Sequence, residues 1–222
     1  MAGERAARAA AYENPRPEIA RHVPVQARRI LDIGCSSGAL GQALKARSEV
    51  EVVGVEVDPE YAAAAEARLD RVINADLETL GASGRLREEL GSFDCLIAAD
   101  VLEHLVDPWS CLRRFGELLS VSGTAVVSLP NVRYWETLWQ LGWRGTWPRR
   151  SEGIFDRDHL RWFTLSDGIA LLDHAGLEAQ GVERNYRLRP QPSRWDRHLR
   201  KLERTPLRPF FSFQFVIVGR RG

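Results

Sequence analysis

Between Arg29 and Pro130 five short apolar runs alternate with helical stretches, and this rhythm restricts the fold more than any single motif does. The runs are RILDIG, VEVVGVEVD, RVINAD, FDCLIAAD and GTAVVSLP. Among the stretches between them, GALGQALKARS, PEYAAAAEARLD and PWSCLRRFGELLS read as helices. Pro59 falls in the first turn of its helix, where a missing N–H costs nothing. Strands alternating with helices of about 10–15 residues predict a parallel sheet covered on both faces. At 222 residues, 44% hydrophobic and 27% charged, the chain can bury one such core with embellishments.

After Pro130 the rhythm breaks. The stretch from Asn131 to Phe163 carries five of the seven tryptophans and is too long for an ordinary connection. Trp135, Trp139, Trp143 and Trp147 recur at intervals of four, but Gly142, Gly145 and Pro148 predict that any helix there stops near Leu141. The spacing leaves two readings open, a stripe packed on the core or an aromatic wall for an acceptor. A short helix, LSDGIALLDHAG, and a strand near LEAQGVERN follow, then a basic, proline-punctuated run and a final aromatic strand, FFSFQFVIVGRR. The chain therefore reads as a single domain, 1–222. It comprises an N-terminal helical cap (1–28), a core (29–130), a lid insertion (131–165), and a C-terminal helix and strand pair (166–222) holding the basic insertion.

A formal net charge of +1 gives no whole-chain signal for nucleic acid or an anionic membrane. Cys35, Cys95 and Cys111 are too far apart for the close pairs of a zinc site, so no metal is expected. The start of the chain shows neither a signal-like run nor an apolar stretch able to span a membrane, and cytoplasmic residence is the expectation.

In open α/β sheets ligands bind beyond the carboxyl ends of the strands, near the switch in strand order. Asp32 and Gly34 end the first run, and the helix opening near Gly38 aims its N–H groups at the same place. Glu56 ends the second run, where an acid can accept two hydrogen bonds from a ribose diol. Asp76 ends the third, placed to accept from an exocyclic adenine amine, or else to cap the segment after it. A dinucleotide loop favours glycine where Ser36 stands, because backbone must approach phosphate there. Three carboxylates and a serine suit S-adenosylmethionine, which has no phosphate and carries a sulfonium cation.

ILDIGCSSGALGQAL, VVGVEVDPEY, INADLETL and FDCLIAADVLEHLVDPWSCLRR resemble the successive motifs of class I, Rossmann-like S-adenosylmethionine-dependent methyltransferases. DRDHLRWFTLSDGIALLDHAGLE is similar to a segment of the bacterial small-molecule and glycan-modifying members. The resemblance implies a seven-stranded, mostly parallel sheet with a terminal antiparallel hairpin and helical lid insertions. It assigns Asp32, Gly34, Ser36 and Gly38 to the methionine part of the cofactor and Glu56 to its ribose. Asp76 with the Leu77 amide would read adenine, and Ala98, Ala99 and Asp100 would line the side near the sulfonium. The family most often has glycine at the position of Ser36.

Methyl transfer to a weakly acidic hydroxyl needs a base. His159, in FDRDHLRWF, is the candidate, oriented by Asp156 or Asp158; the other reading of His159 is packing beneath the lid. The eight cations of the basic run (Arg187, Arg189, Arg194, Arg197, Arg200, Lys201, Arg204 and Arg208) read as a solvated face or as a site for phosphorylated or membrane-proximal substrates. The expectation is a methyltransferase acting on a small molecule or glycan precursor, with oxygen favoured over nitrogen as acceptor. A partner protein or a homodimer is compatible with it. The competing readings are a methyltransferase-like accessory protein and a nicotinamide-dependent oxidoreductase.

Overall fold

The computed structural model describes residues 13–189, 193 and 196–221. The helix expected over the alanine- and arginine-rich start, together with Arg194 and the side chains of Arg197 and Arg200, lies outside the described residues.

The expected rhythm yields one seven-stranded sheet. Its strands are β1 Arg29–Ile33, β2 Glu51–Glu56, β3 Arg71–Asn74, β4 Phe93–Ala99, β5 Leu119–Pro130, β6 Leu177–Tyr186 and β7 Ser212–Arg221. The order across the sheet is β3-β2-β1-β4-β5-β7-β6, with β7 antiparallel to both of its neighbours and the other pairs parallel. The strand order reverses where β1 pairs with β2 on one side and β4 on the other, so a crevice opens beyond their carboxyl ends.

Strand alternation divides the core between the two faces of the sheet. Leu31, Ile33, Val53, Val55, Leu96 and Val127 pack in one cluster, and Ile30, Val52, Cys95, Ile97 and Val126 in the other. The helices covering the sheet include α1 Pro17–Ala20, α2 Ala39–Arg47, α3 Pro59–Glu66, α4 Leu77–Ala82, α5 Leu86–Leu90, α6 Pro108–Gly116, α7 Trp135–Leu138 and α8 Leu165–His174. Asp58 caps α3, Asp107 caps α6, and Thr164 with Asp167 forms a capping box on α8, satisfying N–H groups that would otherwise lack partners. α4 and α5 follow β3, where the apolar rhythm alone gave no clear element.

The lid differs from the helical insertion expected. Helical structure there ends at Trp143, two residues beyond the predicted stop, because α7 continues into a π-helical turn over Trp139–Trp143. Beyond it the chain runs as loop to Phe163, tied by the bridges Asn131↔Phe163 and Arg150↔Asp156 and by the buried Tyr134, Ile154 and Phe155. The four tryptophans do not form one stripe. Trp139 and Trp143 stack at 5.7 Å and are exposed, Trp147 packs edge-on against Phe155 and Trp162, and Trp135 donates its indole N–H to the Leu188 carbonyl.

Candidate active site

A cleft of about 1210 Å³ opens over the carboxyl ends of β1, β2 and β4 and runs under the lid. Asp32 forms its floor at 2% exposure. Burial holds the Asp32 carboxyl up at about 7, with Arg16 pulling it down and Glu56 pushing it up.

The loop after β1 turns on three left-handed residues, Gly34 (φ 74°), Ser36 (φ 50°) and Gly38 (φ 79°). A Cβ on Gly34 would lie 2.6 Å from Val101 Cγ2, and one on Gly38 would lie 3.1 Å from Leu69 Cγ and 3.2 Å from the Ala65 backbone. Serine thus stands in a conformation that L-residues adopt at a cost of roughly 1–2 kcal/mol. Part of that cost is offset when the Ser36 N–H donates to Glu56 Oε2 at 2.8 Å. The other oxygen of Glu56 accepts from the Asp58 N–H at 2.9 Å. Ser36 Oγ is buried without a hydrogen-bond partner.

Asp76 is the cap of the helix that follows it and also reaches the cleft. It caps α4 by accepting from the Thr79 N–H at 2.8 Å, which holds its carboxyl below the usual range, and it lines the cleft with Leu77. Asp100, at φ 52°, also faces the cleft. It does not cap the turn after it, Leu102–His104, which has no side-chain cap. Its carboxylate accepts instead from Ser128 Oγ (2.9 Å), Gln214 Nε2 (2.7 and 2.6 Å) and Arg16 Nη2 (2.7 Å). Burial opposes ionisation of Asp100, but Arg16 and these donors outweigh it and hold the carboxyl low.

Two assigned positions stand apart from the cleft wall. Ala98 is buried in the core cluster while Ala99 lines the cleft, because successive strand residues point to opposite faces. Gly38 serves as the residue preceding α2 and shapes the loop from behind. Cys35 is buried and its thiol is pushed far up by burial, which makes it packing and not a nucleophile.

His159, Asp156 and Asp158 all reach the cleft. Asp156 Oδ1 accepts from the Asp158 N–H, and the Asp158 carbonyl accepts from His104 Nδ1 at 3.1 Å. The carboxyl that faces His159 Nε2, at 3.9 Å, belongs to Glu103. Glu103 is 1% exposed, neither of its carboxyl oxygens has a hydrogen-bond partner, and burial raises it well above the ordinary value. His104 packs edge-on against His159 with ring centres 4.7 Å apart. Burial, with His104 next, lowers the His159 imidazole. Glu103, His104 and His159 bring one nitrogen or oxygen each within 4.8 Å of one another, a spacing at which a cation could be shared. His159 lies 55 residues after His104, so sequence spacing carries no sign of this group.

Sequence reasoning also missed Arg16 and Gln214, and it read Arg187 only as part of the basic run. Arg16 reaches Asp100 from before the first strand of the core, with φ 49° at the residue preceding α1. Gln214 comes from β7 and Arg187 from just after β6, where Arg187 lies 4.4 Å over the Phe213 ring. No periodicity marks such residues.

Residues 31–125 match the family profile described as a methyltransferase domain. Over 114 residues the chain is 31% identical to the ubiquinone biosynthesis O-methyltransferase of Xanthomonas campestris pv. campestris, covering 51% of this chain and 47% of that protein. The chain thus spans about half the length of the curated relatives it matches. Among solved structures it is similar to an S-adenosylmethionine-dependent methyltransferase from Mesorhizobium loti, with TM-score 0.63, 17% identity, and coverage of 92% of this chain and 96% of that one. It is also similar to the N-methyltransferase NodS from Bradyrhizobium japonicum in complex with S-adenosyl-l-homocysteine, with TM-score 0.55, 15% identity, and coverage of 88% and 78%.

Proposed function

We propose, from the match of residues 31–125 to a methyltransferase domain profile and from the sheet order that carries it, that the chain methylates a hydroxyl of a small molecule or glycan precursor with S-adenosylmethionine. The observation that carries this reading is the cleft's charge pattern. Carboxyl groups at three successive strand ends, Asp32, Glu56 and Asp76, face one crevice together with the cation of Arg16. The cofactor has two positive centres, a carboxylate and a ribose diol, and each has a complement there. The unpartnered Ser36 Oγ adds an acceptor and donor at the loop.

When bound, S-adenosylmethionine supplies an activated methyl group. Glu56 would take the ribose hydroxyls on the lone pairs that Ser36 and Asp58 leave open. Asp76 and the Leu77 amide would flank the adenine. Asp32 would balance positive charge on the methionine part, and Arg16 would meet its carboxylate. The Ser128, Gln214 and Arg16 donors hold Asp100 rigid at the inner wall, so the acceptor meets a fixed surface.

His159 is the base in this reading. Its lowered imidazole is neutral at pH 7, so Nε2 can take the proton of an acceptor hydroxyl. The proton then rests beside Glu103, and an imidazolium 3.9 Å away favours the ionised form of that carboxyl. The names of the curated relatives support oxygen as the atom methylated.

Incubation with methyl-labelled S-adenosylmethionine and a panel of catechols and sugar derivatives tests the proposal. Label in a hydroxyl-derived ether is expected. His159→Asn should lower kcat by about 10²–10⁴-fold, the usual worth of a general base, and leave cofactor affinity within about twofold. Full activity of that variant would remove His159 from the chemistry.

A further inference from the structure

A second pocket, of about 670 Å³, adjoins the cleft on the lid side and is lined by Arg149, Arg150, Ser151, Glu152 and Arg157. Arg150, Ser151 and Glu152 line the cleft as well, so they form a wall common to both spaces. The pocket lining holds three arginines and one acid, Glu152. Glu136, on the cleft side, is engaged with Arg150 Nη2 at 2.6 Å.

The cations sit on a constructed turn. The Arg150 N–H donates to the Phe155 carbonyl at 2.9 Å, and the Arg157 N–H donates to the Arg150 carbonyl at 3.0 Å, closing residues 150–157 into a backbone loop. Buried Ile154 and Phe155 pin that loop to the protein, and the Arg150 guanidinium lies 5.1 Å over the Phe155 ring. The ring and Glu136 together fix the direction of Arg150, so little side-chain freedom remains to be lost when a ligand arrives. Arg149 and Arg157 are exposed.

We propose that this pocket is an acceptor subsite for an oxyanion, and that the methyl acceptor carries a phosphate or carboxylate group bound by Arg149, Arg150 and Arg157. Guanidinium forks match both anions bidentately, and such charge-assisted pairs orient a ligand as well as hold it. The shared wall ties the two spaces together: an anionic group in the pocket places the rest of the acceptor in the cleft, toward His159 and Asp100. This assignment rests on reading the cleft as the methyl-transfer site, and it adds the chemical class of the substrate to that reading.

The test uses four probes on the full chain: phenyl phosphate, benzoate, phenol and inorganic phosphate. Binding is followed by tryptophan fluorescence, since Trp147 packs on Phe155, the ring under Arg150, and checked by calorimetry. The expected result is that phenyl phosphate or benzoate binds at least tenfold tighter than phenol and tighter than inorganic phosphate. Which of the two binds identifies the anion. Arg149→Gln with Arg157→Gln should weaken that probe about tenfold or more, the loss expected for charged hydrogen bonds, and raising salt should weaken it further. Equal binding of phenol, a preference for free inorganic phosphate, or unchanged affinity in the double variant would overturn the proposal. S-adenosylhomocysteine is titrated separately into both proteins. Loss of its binding in the wild-type chain would count against the cleft reading, whereas retained binding with no anion preference would count against this subsite alone.

Discussion

Ser36 carries the strain in the loop after β1. It adopts φ 50°, between Gly34 and Gly38, both of which lie in the same left-handed region. Ser36→Gly relieves that strain but gives the unfolded chain more freedom, so the two effects nearly cancel. Chemical denaturation should show a change within about 1 kcal/mol. Gly34→Ala is different, because its Cβ would meet Val101 Cγ2 at 2.6 Å in a backbone conformation that disfavours alanine. That variant should lose 2 kcal/mol or more, in the range of overpacking, and should disturb Asp100, the neighbour of Val101. Asp32 gives a prediction in pH. Its carboxyl titrates at about 7 in the folded chain against about 3.9 when unfolded. The folded state therefore holds the extra proton, and stability falls as pH rises from about 4 to about 7, then levels. Asp32→Asn should flatten that fall in a melting series. A cationic cofactor favours the ionised form, so wild-type affinity should rise with pH up to about 7, and the variant should lose both affinity and its pH dependence.

At the scale of elements, the five core strands and the loop after β1 were legible because burial on both faces writes an apolar run, and because acids at strand ends break it. Asp32, Glu56 and Asp76 could be read in this way, and the cleft brings them together. The lid could not be read in the same way. Its anchors, Tyr134, Ile154 and Phe155, are isolated in sequence, and its path is set by two single bridges. Glu103 stood in plain view in VLEHL, but its partner His159 comes from the far side of the lid, and only the fold joins them. Gln214 was hidden for a similar reason: β7 enters between β5 and β6, which places a residue from the end of the chain beside Asp100. The element-level prediction concerns that insertion. Gln214→Leu removes the amide that contacts both oxygens of the partly buried Asp100 carboxylate, which should cost about 1–3 kcal/mol in denaturation and lower turnover more than cofactor affinity.

For the whole molecule, one cleft joins groups from the segment before β1, four strand ends, the lid and β7. A ligand that binds it links these parts and stabilises the folded chain as a unit. S-adenosylhomocysteine at a hundredfold excess over its Kd should add ~2.7 kcal/mol, a rise of about 5–10 °C in Tm for a chain of this size. The central claim is that the acids at the strand ends hold S-adenosylmethionine and not a dinucleotide, and calorimetric titration tests it most directly. The account predicts one site per chain for S-adenosylmethionine, at least a tenfold loss of affinity in Glu56→Ala, and no saturable binding of NADH. Saturable binding of NADH, or S-adenosylmethionine affinity unchanged in Glu56→Ala, would contradict it.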